Sequence, residues 1–153
     1  MSLSAQDNNV VALHSFRKFA PHKRVSRQQI VNNGQDHAIR RLEVLESRIQ
    51  RYGGDILHPE WIDEYIDLGL ELAEHAGQRN FQPLQESWLK RIYRTLRDTA
   101  FNLDCHENWR QQCLDFLYQP SFALQHFYRE QPNGKLKIRL LFKDLSMITR
   151  YVV

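Results

Sequence analysis

The fold class this sequence predicts is mainly α: a small bundle of four to five helices, with a short C-terminal β element. Three observations predict it. Apolar residues recur at steps of three and four over most of residues 38–117, proline and glycine punctuate that pattern at helix-like intervals, and strict alternation appears once, near residue 135. With 153 residues, 42% of them hydrophobic, the chain can bury one core, so a single helical domain over 26–153 is expected behind a flexible arm at 1–25.

Residues 1–25 carry no sustained period, and Pro21 interrupts whatever element Val10–Phe19 begins. Ser26 with Gln29 matches a capping box, in which the hydroxyl and the amide each satisfy a free backbone N–H, so a helix is expected to begin there. Ala38, Leu42, Leu45, Ile49 and Tyr52 then occupy one narrow stripe of that helix. Gly53-Gly54 is expected to stop it through a left-handed cap. The stripe reads as a face turned to the protein's own core. As a coiled-coil seam it would instead serve a homodimer through residues 38–52.

Pro59 suits the first position of the next helix, where its missing N–H costs nothing. At 100° per residue, Trp61, Ile62, Tyr65, Ile66, Leu72, Ala73 and Ala76 fall on one side. Asp63, Glu64, Asp67, Glu71 and Glu74 fall on the other, and Gly77 is expected to cap the end. The following helix, about 83–100, places Leu84, Trp88, Leu89, Ile92, Tyr93 and Leu96 inward and Lys90, Arg94 and Arg97 outward. A short connection makes the two antiparallel, with outer faces of opposite sign. Asp104 with Glu107 matches another capping box ahead of Trp109, Cys113, Phe116 and Leu117, and Pro120 is expected to end that helix. Residues 121–130 fit either a short helix capped by Ser121 or a strand. In 135–140, Lys135, Lys137 and Arg139 alternate with Leu136, Ile138 and Leu140 after Asn133-Gly134, which favours a strand over 135–142; Ile138, Leu141, Leu145, Ile148 and Val152 also keep helical spacing.

Charge is distributed unevenly. No acid occurs between Asp7 and Asp36, a stretch that holds Arg17, Lys18, Lys23, Arg24 and Arg27. Taking those five from the 21 Lys and Arg leaves 16 against 18 Asp and Glu, so the net charge of +3 becomes −2 without them. The basic character belongs to the N-terminal segment. No apolar run reaches the ~20 residues a membrane span needs, and no signal-peptide pattern opens the chain, so no membrane association and a cytoplasmic location are expected. Cys105 and Cys113 fit no secreted disulfide framework and read as free thiols.

Catalytic chemistry finds little support. Cys105, His106 and Cys113 lack the paired spacing of a zinc site. Glu71, Glu74 and His75 do not form the inward Glu-x-x-His of di-metal bundles. No phosphate-binding glycine loop, nucleophile elbow or H-E-x-x-H occurs. The Arg51 and His58 spacing resembles the Arg-x4–6-His pair with which HEPN-type ribonucleases position and activate an RNA 2′-hydroxyl, although Gly53-Gly54 separates the two residues here. No catalytic residue, metal ligand or cofactor is therefore expected.

These features describe a non-catalytic regulatory or adaptor protein. It would bind a protein partner through its charged faces, with Asp63, Glu64, Asp67, Glu71 and Glu74 as one surface, and through the basic arm. The alternative is a nucleic-acid-binding regulator that uses Arg17, Lys18, Lys23, Arg24 and Arg27, with Phe16 and Phe19 for base stacking, together with Lys90, Arg94 and Arg97 of the 83–100 helix. A HEPN-like ribonuclease is the third reading.

Overall fold

The computed structural model describes residues 27–152, with side chains from Gly34 to Arg150. The expected arm over 1–25 and the Ser26 capping box lie outside the described residues. The core lies within the compact unit Gln35–Val153.

Six helices occupy the described residues: α1 (Arg27–Arg51), α2 (Pro59–Gln78), α3 (Gln82–Phe101), α4 (Glu107–Phe116), α5 (Tyr118–Arg129) and α6 (Gly134–Val152). Only Leu117 separates α4 from α5, and its backbone is itself right-handed helical (φ −62°, ψ −25°). The two helices thus follow one another almost without a break, and the bundle is mainly α as its periodicity implies.

The 38–52 stripe faces the chain's own core. Leu42, Leu45 and Ile49 are completely buried, each contributing about 1.5–3 kcal/mol of apolar burial. With those side chains consumed internally, the stripe offers no seam for a second copy. α2 and α3 make the most extensive helix pair, α3 also packs on α4 and α5, and α6 packs mainly on α5. Gly69 of α2 permits the close approach of α3, since a Cβ there would collide with Ile92 Cγ2. Trp109 of α4 sits fully buried, its indole N–H donating to the Ile49 carbonyl of α1 at 3.0 Å.

Several local expectations are corrected. α1 does end before Gly53-Gly54, but neither glycine is left-handed. The left-handed residue after α2 is Asn80 (φ 56°), not Gly77, which lies within the last turn of the helix. Asn is the non-glycine residue that tolerates this conformation best. There the Phe81 N–H donates to Ala76 O and the Asn80 N–H to Gly77 O, satisfying the last carbonyls. At α4 the cap is His106, whose Nδ1 accepts from the Asn108 N–H at 3.1 Å, rather than Asp104. Pro120 does not end a helix. It falls in the first turn of α5, where its missing N–H costs no bond. Ser121 is likewise inside α5, donating to Leu117 O.

The largest correction concerns 135–142, which is helix and not strand. A lone strand would leave its backbone N–H and C=O groups without a ladder partner, whereas a helix satisfies them internally. The helical spacing of Leu141, Leu145 and Ile148 prevails, with Leu141 and Ile148 buried against the bundle. No helix among the described residues is long and apolar enough to cross a membrane.

Candidate functional site

The two charged faces read from the sequence have different fates. On α2, Asp63, Asp67, Glu71 and Glu74 point into solvent at successive steps of three and four. Among the described residues none of the four forms an ion pair or a side-chain hydrogen bond. With Glu60 they make an acidic ridge about 21 Å long, from the helical rise of 1.5 Å per residue. Glu64, at the edge of the ridge, is engaged: Arg41 donates to it through Nε at 2.7 Å and Nη2 at 2.9 Å. Those hydrogen bonds hold the Glu64 carboxyl below the ordinary carboxylate range. Glu60 is held low by its backbone hydrogen bond and by the His58 ring, 3.0 Å away.

On α3 the cations are mostly consumed inside the domain. Lys90 pairs with Glu86 at 2.9 Å across one helical turn. Glu86 also takes Lys137 of α6 at 2.9 Å, and the Tyr128 hydroxyl donates to it at 3.2 Å. Burial alone would raise the Glu86 pKa, but the two ammonium groups bring it below its usual value. Arg97 reaches Asp144 of α6 at 2.9 Å and Asp98 at 3.1 Å, with its guanidinium 5.9 Å from the centre of the Tyr93 ring. Tyr93 donates to the same Asp144 at 2.5 Å, and burial with this carboxylate raises the phenol pKa. Arg94 alone of Lys90, Arg94 and Arg97 has no ion pair among the described residues. It lines a cleft of about 390 Å³ between α3, α5 and α6, with Tyr93, Tyr128, Lys137, Leu140 and Asp144. Lys90 and Arg97 are thus part of the bundle's internal wiring, and a uniform basic face on α3 does not exist. Of the arm cations, Arg17, Lys18, Lys23 and Arg24 lie outside the described residues, as does the side chain of Arg27.

Sequence spacing did not reveal the network that joins α1, α2 and α3. Glu46 of α1 accepts two bonds from Arg91, at 2.8 and 3.0 Å, and one from the Tyr65 hydroxyl at 2.6 Å. The Tyr65 hydroxyl also bonds the buried Thr95 hydroxyl at 2.9 Å. Burial pushes the Glu46 carboxyl up, yet the bonds from Arg91 and Tyr65 overcome it and leave the pKa lowered.

The face that replaces α3 as the free basic surface is on α6. Lys135, Arg139, Lys143 and Arg150 are exposed there, and Lys137 and Asp144 turn inward to α3. Exposed apolar residues accompany them: Leu136 (62%), Leu140 (57%) and Met147 (50%). A strand reading hides this row, because it becomes one face only at helical pitch. The helical spacing from 136 to 140 to 147 was the available signal.

Among the described residues Arg51 and His58 share no hydrogen bond and no common partner. His58 lies flat on Trp61, ring centres 4.0 Å apart, with Tyr52 edge-on at 5.1 Å. Its Nδ1 is taken up by Glu60, and Arg51 is exposed at the end of α1. This aromatic group, completed by Trp109, closes the α1–α2 corner. Cys105 and Cys113 are both buried free thiols, and burial pushes the Cys113 thiol up to about 12. Such a thiol packs as a small hydrophobe.

No protein-family model, curated protein or solved structure matches the chain.

Proposed function

We propose that this protein is a non-catalytic regulator or adaptor that binds a protein partner through its charged helical surfaces. One observation carries the reading: among the described residues Asp63, Asp67, Glu71 and Glu74 of α2 are exposed and form no ion pair, whereas Lys90 and Arg97 of α3 are spent on ion pairs within the bundle. On α3, Glu46, Glu86 and Asp144 pair with Arg91, Lys90 and Arg97, the cations with which that helix would meet phosphate, and phosphate contact depends on cations that are free to displace counterions. The acidic ridge instead complements a basic protein segment, and unpaired like charges on one face set partner choice and association rate.

Reversing part of the ridge tests the proposal. Full-length protein and the Asp67→Lys/Glu71→Lys variant, both exposed and both on solvent positions of α2, are used in nuclease-treated affinity purification. A protein partner retained by the parent and lost by the variant is the expected result. Loss of every partner on nuclease treatment, or an unchanged partner set in the variant, would sink it.

A further inference from the structure

We infer that the outward face of α6 is a docking surface for an acidic amphipathic helix of a partner protein. The inference rests on the proposed protein-binding role and adds a second face and the chemistry of what covers it.

α6 has two apolar rows. Leu141, Leu145 and Ile148 serve the bundle, and Leu136, Leu140 and Met147 stand in solvent on another side of the helix. Single exposed apolar residues are ordinary, but a row at steps of four and seven is a helix face, and among the described residues nothing covers it. It is the spacing with which one helix lies along another.

Charge selects the occupant. Lys143 falls within the row, between Leu140 and Met147, and Arg139 and Arg150 flank it. No acid lies on this arc, because Asp144 is turned to Arg97 and Tyr93. Leu140 also forms the rim of the cleft that holds Arg94. A segment covering the row must therefore bring apolar residues for Leu136, Leu140 and Met147, and carboxylates for Lys143, Arg139 and Arg94. A second copy does not fit: pairing α6 antiparallel with itself about the middle of the row would bring Lys143 of one copy beside Arg139 of the other. Like charges held in an apolar contact disfavour that arrangement.

The test uses the full-length protein and a fluorescent 20-residue helical peptide with leucines at steps of three and four, flanked by glutamates. A companion peptide carries lysine in place of every glutamate. Anisotropy titration should give micromolar affinity for the acidic peptide, at least tenfold weaker affinity for the basic one, and marked weakening with added salt. Leu136→Gln/Leu140→Gln, both exposed, should reduce affinity about tenfold while the circular dichroism spectrum and urea midpoint stay at parental values; Lys143→Glu should do the same. Equal binding of both peptides, or binding that survives these substitutions, overturns the inference. So does Leu140-dependent dimerisation in sedimentation, or Leu140-dependent binding to vesicles containing phosphatidylserine. If the α6 variants are silent while the α2 charge reversal still releases a protein partner, the α6 surface fails and the adaptor reading stands.

Discussion

Replacing Glu46 with alanine removes the acceptor shared by Arg91 and Tyr65 without harming the helix that carries it, since alanine is the best helix former. Three hydrogen bonds are lost, two of them from a guanidinium. Breaking a fully buried charge pair costs about 3–5 kcal/mol. The Glu46 side chain is 17% exposed and that of Arg91 36%, so water partly rehydrates the freed guanidinium and the cost falls to about 2–3 kcal/mol. Tyr65 keeps its bond to Thr95, which limits the damage on that side. With a urea dependence of about 2 kcal/mol per molar, the midpoint should drop by roughly 1–1.5 M. Urea titration followed by circular dichroism measures it, with Glu43→Ala, at an exposed position of the same helix, as the control. The reasoning also requires coupling: Arg91→Met on the Glu46→Ala background should cost at least 1 kcal/mol less than on the parent. A Glu46→Ala midpoint within 0.3 M of the control, on the order of half a kcal/mol, would refute the assignment of this network as the α1–α2–α3 tie.

Gly69→Ala should destabilise by about 1–3 kcal/mol despite alanine's better helix propensity, because the new methyl meets Ile92; an unchanged thermal midpoint would contradict the close α2–α3 approach. Cys113, buried with a pKa near 12, should resist iodoacetamide at pH 8 and react only after denaturation, as peptide mass mapping would show. Glu46 and Glu86 titrate below their ordinary value of 4.5 in the folded chain, so their stabilisation is present above that pH and is lost as pH falls through the depressed folded values. The urea midpoint should therefore fall below pH 4.5, and the gap between parent and Glu46→Ala should narrow there; a gap that stays constant to pH 3 counts against the linkage.

What could be read from the sequence followed from local periodicity. Leu42, Leu45 and Ile49 were found as a core stripe, and the inward and outward sides of α2 were separated correctly, because side-chain direction repeats every 3.6 residues whatever the tertiary fold. The α6 segment was misread because lysine and leucine alternate over its first turn and a half. Its decisive core residues, Leu141, Leu145 and Ile148, begin only where that alternation ends. The fate of the charges was not legible for a different reason. Whether Arg91, Arg97 or Lys137 is free depends on acids 45, 47 and 51 residues away, and no local pattern carries that information. The caps show the same limit on a smaller scale: His106 and Asn80 took places that residue preference assigned to Asp104 and Gly77.

The bond from the Trp109 indole to the Ile49 carbonyl has a consequence for the order in which the chain becomes stable. The last turn of a helix exposes carbonyls that its own backbone cannot satisfy. In α1 one of them is satisfied by a donor 60 positions later, and the Cys105 thiol lies 3.8 Å from the next, on Gln50. A nascent chain that has not yet reached residue 109 leaves this end of α1 to water. The first helix of the core is thus finished by the fourth, and the corner they share closes only after α2 and α3 have been made.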